Sequence, residues 1–370
     1  MPHANQAIPL DEEAIFDAMP MEEEGQFANH ATPLIRNCWY VCARRDEVGR
    51  TPISRRLLDT DVVMYRTRDG RPVAMHNRCP HRAFPLAKGH VEGDRLVCGY
   101  HGMQFEPDGL CAHLPAISHV PANACVQTYP IADRGPLTWI WMGDANLADE
   151  ALIPELPWLA SSEWGSVTGD FHIKADYVSM HENLIDQTHF PFLHPGTVGT
   201  PEYARASMNA TTEGDQVLIH RRLDNAPPPG IYGKPADIMH KNVDRTSEAR
   251  FVSPAVHMAH ARIFDPQPEP GKPSVYGYYI THCFTPESNH SIHYWWFNSR
   301  DYGIDDTDID AFMYEASMQA YYEDVEALEW IMDVVLTDNE AQQFELSFAP
   351  DKPGLMARRI MHRLAMAEHG

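Results

Sequence analysis

Residues 78–102 read RCPHRAFPLAKGHVEGDRLVCGYHG, and the order of cysteine and histidine within them decides how the chain is organised. Cys79-x-His81 is followed by sixteen residues and then by Cys98-x2-His101. Each short loop therefore offers one thiolate and one imidazole. A structural zinc site would pair like with like, as Cys-x2–4-Cys followed by His-x3–5-His. Mixed loops suit two irons held unequally, Cys79 and Cys98 on one and His81 and His101 on the other. Imidazoles replacing two thiolates remove negative charge from a [2Fe–2S] cluster and raise its reduction potential. Cys111, ten residues beyond His101, reads as a packed free thiol in preference to a further ligand.

Around this segment, Asn37 to Asp144 is strand-like and turn-rich. Short apolar runs such as Trp39–Cys42, Val62–Tyr65 and Leu137–Met142 stand between Gly, Pro and Asp punctuation, the pattern of a small all-β domain. An acidic, proline-bearing linker (ANLADEALIPELP, 145–157) follows. Strands return over 164–299, including Gln216–Arg221, Val275–His282 and Ser291–Phe297, with a helical insertion at Ser179–His189. From Asp308 to Leu336 the apolar period becomes helical, and an amphipathic segment, Gly354–Glu368, closes the chain. The expected fold class is α+β: an N-terminal all-β domain, then a helix-covered antiparallel β-sheet domain. The expected division is an acidic extension over 1–36, a cluster domain over 37–148 and a catalytic domain over 149–370. Residues 1–33 read as mobile or loosely packed.

A second constellation lies at 181–194, HENLIDQTHFPFLH. Asp186 and His189 are three apart and share a helical face. Pro191 then bends or ends the helix, so that His194 swings back toward the same point. Two neutral imidazoles and one carboxylate suit a mononuclear Fe(II) with positions open for O2. Asp186 is the local carboxylate. A second candidate lies in AFMYEASMQAYYEDVEALEWIMDVV (311–335), an amphipathic helix with a stripe of Met313, Ala320, Ala327, Leu328, Ile331 and Val335. At about 100° per residue Asp324 falls within that stripe, Glu323 near its edge, and Glu326 and Glu329 opposite. A carboxylate on a buried face needs a partner. A metal, an arginine or a buried water would each serve.

The remaining features set bounds. At 370 residues the chain is long enough for two domains. A formal net charge of −23 argues against a nucleic-acid partner, whose phosphates require a basic face. No run approaches the roughly 20 apolar residues of a membrane span. The acidic N-terminus lacks the basic start and apolar middle of a signal peptide, so a cytoplasmic location is expected. Seven cysteines without a secretion signal indicate thiols and metal ligands, not a disulfide framework. No Gly-x-Gly-x-x-Gly nucleotide fingerprint occurs, so electrons must come from outside. Arg78, Arg82, Lys88 and Arg95 outnumber Glu92 and Asp94 around the cluster loops, as either a basic docking face or an ordinary solvated loop. Tyr294, Trp295, Trp296 and Phe297 alternate on one strand, so half of them face inward, as core more than as pocket. His257, His260 and Arg262 lie on another strand, where Arg262 reads as a structural ion pair before a substrate-binding group.

The two metal motifs, in this order and spacing, resemble the oxygenase component of the Rieske non-haem iron oxygenases. CFTPESNHSIHYWWFNSRDYG (283–303), YYEDVEALE (321–329) and PGLMARRIMHRLAMAE (353–368) resemble its vanillate O-demethylase and dicamba monooxygenase branch. The resemblance runs from Asn37 to the C-terminus. It implies a Rieske [2Fe–2S] cluster, and His189, His194 and Asp324 as ligands of a catalytic iron. It also implies Asp186 as an acid bridging the two centres across a subunit boundary, with Asn183 near the iron and no firm ligand role. A homotrimer is implied, fed by a ferredoxin or reductase with electrons from NAD(P)H. The expected reaction is monooxygenation, with O2, of a small aromatic compound by O- or N-demethylation or hydroxylation. Ring cis-dihydroxylation by a dioxygenase is the alternative.

Overall fold

Strand Thr60–Arg66 shows how one short sequence holds two cores together. Its side chains alternate between faces: Val62 and Met64 enter the main core, while Val63 and Tyr65 enter a second core around Cys79 and Cys98. Each fully buried apolar side chain of this kind contributes about 1.5–3 kcal/mol. The computed structural model describes residues 27–116, 120–121, 123–338 and 345–369. Three small antiparallel sheets make up the N-terminal part. The first orders Trp39–Arg44, Leu137–Trp141 and Ile131–Arg134, and the second Ile53–Leu57, Thr60–Arg66, Pro72–His76 and Thr128–Tyr129. The third orders His90–Glu92, Arg95–Val97, Gln104–Phe105 and Cys111–His113, and the Cys98 loop joins its two middle strands.

The C-terminal part is one seven-stranded antiparallel sheet. Gly165–Ile173 forms an edge beside Ser291–Arg300. The order then steps back through Val275–Ser288, Val256–Phe264, Val243–Ser253 and Gln216–Ala226 to Met208–Glu213. Helices α1 (Tyr177–Ile185), α5 (Thr307–Val335) and α6 (Lys352–His369) carry much of the core on one side; α2 (Phe190–Leu193), α3 (Pro201–Arg205) and α4 (Gly230–Gly233) are single-turn pieces. Tyr294 and Trp296 pack toward α5, each within ring contact of Tyr321. Trp295 and Phe297, on the other face, are buried as well. Both halves of that aromatic run are therefore interior, because the cluster domain and the turn that carries Trp158 together cover the second face. There Thr285 Oγ1 donates to the Val41 carbonyl, Trp158 Nε1 donates to Thr281 Oγ1 at 2.9 Å, and Arg55 lies over Trp295.

A tight turn locks the two parts. Leu58 and Asp59 both have positive φ, 46° and 62°, a conformation that non-glycine residues adopt at a cost. Their N–H groups donate to the carbonyls of Pro286 and Glu287 at 2.7 and 2.9 Å. Leu58 is fully buried, so packing and two inter-domain hydrogen bonds offset the strain.

Three expectations change. From Ala28 onward the chain is packed, not loose: Ala28, Leu34 and Ile35 are buried, Ala28 exchanges hydrogen bonds with Arg358, and Glu368 accepts from Arg36 and Asn37 N–H. Residues 1–26 of the expected extension lie outside the described residues. The α5 stripe is displaced from the expected one: Ile331 is half exposed, and Ser317, Tyr321 and Met332 take places in it. The 145–157 segment is no free linker, since Ile153 and Leu156 are buried in three short 3-10 turns and their flanks. Among the described residues, no helix is long and apolar enough to cross a membrane.

Candidate metal centres

The two cluster loops are built alike. Cys79 N–H donates to the Phe84 carbonyl, five residues on, and its carbonyl accepts from Ala83 N–H. Cys98 N–H donates to the Met103 carbonyl, also five residues on, and its carbonyl accepts from Gly102 N–H. Ala83 and Gly102 hold the same place in each loop, and both have positive φ, 54° and 70°. The repeated turn presents one Cys and one His from each side. Both cysteines are 2% exposed; His81 and His101 lie at the surface with ring centroids 4.6 Å apart. Burial, reinforced by Cys98 alongside, pushes the Cys79 thiol up, so thiolates here require a cation. Two inner sulfurs and two outer imidazoles fit an asymmetric two-iron cluster. Cys111 is only partly buried and sits in the Cys111–His113 strand, beside the second core.

The second centre lies between α1, α2 and α5. Asp176 caps α1 by accepting from Val178 and Ser179 N–H. The helix ends at Ile185, six residues before Pro191, where the sequence suggests the bend. Asp186 is the C-cap, with ψ of 109°, and its Oδ1 accepts from Thr188 N–H at 2.7 Å and Thr188 Oγ1 at 2.6 Å. Short polar side chains commonly break helices in this way. Pro191 instead occupies the first turn of α2, where its missing N–H costs nothing. His189 and His194 bracket α2 with ring centroids 5.2 Å apart.

Asp324 meets them from α5. One ligand atom from each of His189, His194 and Asp324 lies within 4.8 Å of the other two. Asp324 Oδ1 stands 3.0 Å from His194 Nε2 and 3.6 Å from His189 Nε2, and accepts from Asn183 Nδ2 at 2.9 Å. His189 Nε2 is buried without a hydrogen-bond partner. Burial opposes ionisation of Asp324, yet the two imidazoles close beside it, His194 in hydrogen-bond contact, outweigh burial and hold the carboxyl at about 2. Burial likewise opposes charge on His189, but Asp186 and Asp324 push it up to about 9. An orphaned imidazole nitrogen in a pocket that favours positive charge fits a divalent cation.

The structure thus brings together His189, His194, Asp324 and Asn183, with Asp186 3.4 Å from His189 Nδ1. Among the described residues no hydrogen bond joins Asp186 to His101 within one chain; its partners are Thr188 and His189. Glu323, which the helical period places near the stripe edge, reaches His194 Nδ1 at 2.7 Å. Its place near the stripe edge, next to Asp324, is the only signal in the sequence.

Comparison with known proteins agrees with this geometry. The chain matches the Rieske [2Fe–2S] domain over residues 38–130 and the vanillate O-demethylase oxygenase C-terminal domain over 173–367. It is 32% identical to the vanillate O-demethylase oxygenase subunit of Pseudomonas sp. (strain HR199 / DSM 7063), over 90% of this chain and 95% of that protein. Dicamba monooxygenase bound to 3,6-dichlorosalicylic acid superposes with a TM-score of 0.84 at 29% identity, over 92% of this chain and 100% of that one. The same enzyme with non-haem iron and dicamba gives 0.77 at 27% identity, over 91% and 99%. These relatives are demethylating monooxygenases, which sets the cis-dihydroxylating alternative aside. The chain belongs to the vanillate O-demethylase family of Rieske non-haem iron oxygenases, as the oxygenase component that carries both the [2Fe–2S] cluster and the mononuclear iron.

Proposed function

We propose that this oxygenase removes O- or N-methyl groups from, or hydroxylates, a small aromatic compound. The carrying observation is the His189–His194–Asp324 set, two of its residues buried and His189 partly so, with all three ligand atoms within 4.8 Å and the His189 nitrogen unpartnered. In this reading those three residues hold the mononuclear iron, Cys79 and Cys98 hold one cluster iron, and His81 and His101 hold the other. When bound, the mononuclear iron supplies O2 activation and the cluster supplies electrons one at a time. The protein's own groups prepare the site. Asp186 orients His189 through its Nδ1, and Thr188 fixes Asp186. Asn183 holds the Asp324 carboxylate from outside the ligand set. A methoxylated substrate, O2, two electrons and two protons would give the phenol, formaldehyde and water.

Residues 37–148 would serve as the electron-relay unit and 149–370 as the catalytic unit, after an N-terminal extension over 1–36. A ferredoxin or reductase carrying NAD(P)H-derived electrons would reduce the cluster, in the cytoplasm. A head-to-tail homotrimer would bring the cluster of one subunit to Asp186 of the next. The exposed Trp330, Ile331 and Val334 on α5, and Phe192 at 79% exposure beside the metal set, support such an apolar contact. The test is formaldehyde release across a panel of methoxylated and N-methylated aromatics, with the holoenzyme and a competent electron donor. One oxygen atom from labelled O2 is expected in product; a diol carrying both would sink the reading.

A further inference from the structure

Each imidazole of the mononuclear set has its own carboxylate on the side away from Asp324, but the two pairs are unequal. His189 Nδ1 lies 3.4 Å from Asp186 Oδ2, and the other oxygen of Asp186 is occupied by Thr188. His194 Nδ1 lies 2.7 Å from Glu323 Oε2. Glu323 is itself held, because Gln319, one turn earlier on α5, donates from Nε2 to its Oε1 at 3.2 Å. His194 is 1% exposed and Glu323 27% exposed, so the contact bridges the buried site and the helix rim.

We propose that Glu323 is the positioning residue of His194, accepting a hydrogen bond from its Nδ1–H so that Nε2 keeps its lone pair for the metal. This rests on the reading of His189, His194 and Asp324 as the ligands. A ligating histidine needs its second nitrogen bonded to fix tautomer and ring orientation. His194 needs this most, because α2 is one turn long and His194 is its C-cap, with φ −120° and ψ 46° outside helical values. The backbone therefore leaves the ring orientation to side-chain contacts. Adjacent acids on one helix thus divide the work: Asp324 faces the metal and Glu323 holds the ligand beside it. Successive helix residues point about 100° apart, and His194 sits between the two carboxylates.

The test is anaerobic Fe(II) titration of full-length protein that retains its cluster after the mononuclear iron is stripped by a chelator. Parent, E323A, E323Q and D324A are compared, with melting temperature and cluster absorbance recorded for each. E323A is expected to bind Fe(II) about 10- to 100-fold more weakly than the parent, with unchanged melting temperature and cluster absorbance. E323Q should fall between them, because its amide oxygen still accepts from Nδ1. E323A within about twofold of the parent, or E323Q as weak as E323A, overturns the proposal. So does iron loss accompanied by a lost cluster and a lowered melting temperature, which would make Glu323 a general structural residue. D324A binding iron like the parent would instead overturn the ligand reading itself.

Discussion

Asp186 faces His189 across 3.4 Å with one carboxylate oxygen while Thr188 holds the other through both its N–H and its hydroxyl. The acid is thereby fixed at the mouth of the metal set, and its carboxyl is held low: burial works against ionisation, but the bonds from His189 and Thr188 prevail. If it links a neighbouring cluster to this iron, Asp186→Asn keeps the shape and removes the charge. The expected outcome is unchanged cluster reduction by the electron donor with turnover lowered by about 10- to 100-fold. Stopped-flow bleaching of the cluster alongside product formation measures both. Normal turnover would remove the bridging role.

Asn183 and Asp324 share a hydrogen bond of 2.9 Å, yet only Asp324 belongs to the proposed ligand set. Iron counting separates them. The loaded chain should hold about three irons, two in the cluster and one mononuclear. Asp324→Ala should bring this to about two while cluster absorbance persists. Asn183→Ala should stay near three, since it loses a supporting donor and not a ligand. A count near two for Asn183→Ala would make it a ligand.

The cluster loops could be read from sequence because all four residues and their turns are local. His189 and His194 were readable for the same reason, and Asp324 because helical period alone puts it on a buried face. The helix break was misplaced because proline is a louder signal than a C-capping aspartate, whose effect depends on its Thr188 partner. Glu323 could not be assigned, since its role depends on where a separate one-turn helix carries His194. Burial of Ala28, Leu34 and Ile35 depends on α1 and α6, whose Glu368 holds the neighbouring Arg36 N–H from more than 300 positions away. Likewise, no periodicity shows that Trp295 faces another domain, under Arg55.

Three histidines from separate elements meet in the core: His181 on α1, and His257 and His282 on neighbouring strands, with ring centroids 6.0 and 6.1 Å apart. All are buried, and neither nitrogen of His257 has a hydrogen-bond partner. Burial lowers all three, His181 and His282 to about 3 and His257 well below its ordinary 6.5. The folded chain keeps them neutral, whereas the unfolded chain takes up protons below about pH 6.5. Their contribution is thus fully present above about pH 6.5 and is lost as pH falls toward about 3. With all three titrating, the slope approaches about 4 kcal/mol per pH unit. Urea midpoints between about pH 7 and pH 4.5 should fall accordingly, and His257→Leu should reduce the slope by about a third. An unchanged slope in that variant would show that His257 protonates in the fold.

Electron delivery offers the last test, because the cluster loops carry cations on an otherwise acidic chain. Arg78, Arg82 and Lys88 are exposed, whereas Arg95 is paired with Glu106 at 2.7 Å. Among the described residues the first three have no ion-pair partner, so their field is not cancelled locally. An acidic electron donor approaching the exposed His81 and His101 would be drawn to them, and such steering weakens as salt shortens the Debye length from about 10 Å at 0.1 M. Cluster reduction by an acidic ferredoxin should therefore slow as ionic strength rises. Arg82→Glu with Lys88→Glu should lower the low-salt rate by about tenfold or more and reverse the sign of the salt dependence. Neither substitution touches a cluster ligand, so absorbance and iron content should match the parent. A rate indifferent to salt in both proteins would show these cations to be an ordinary solvated surface.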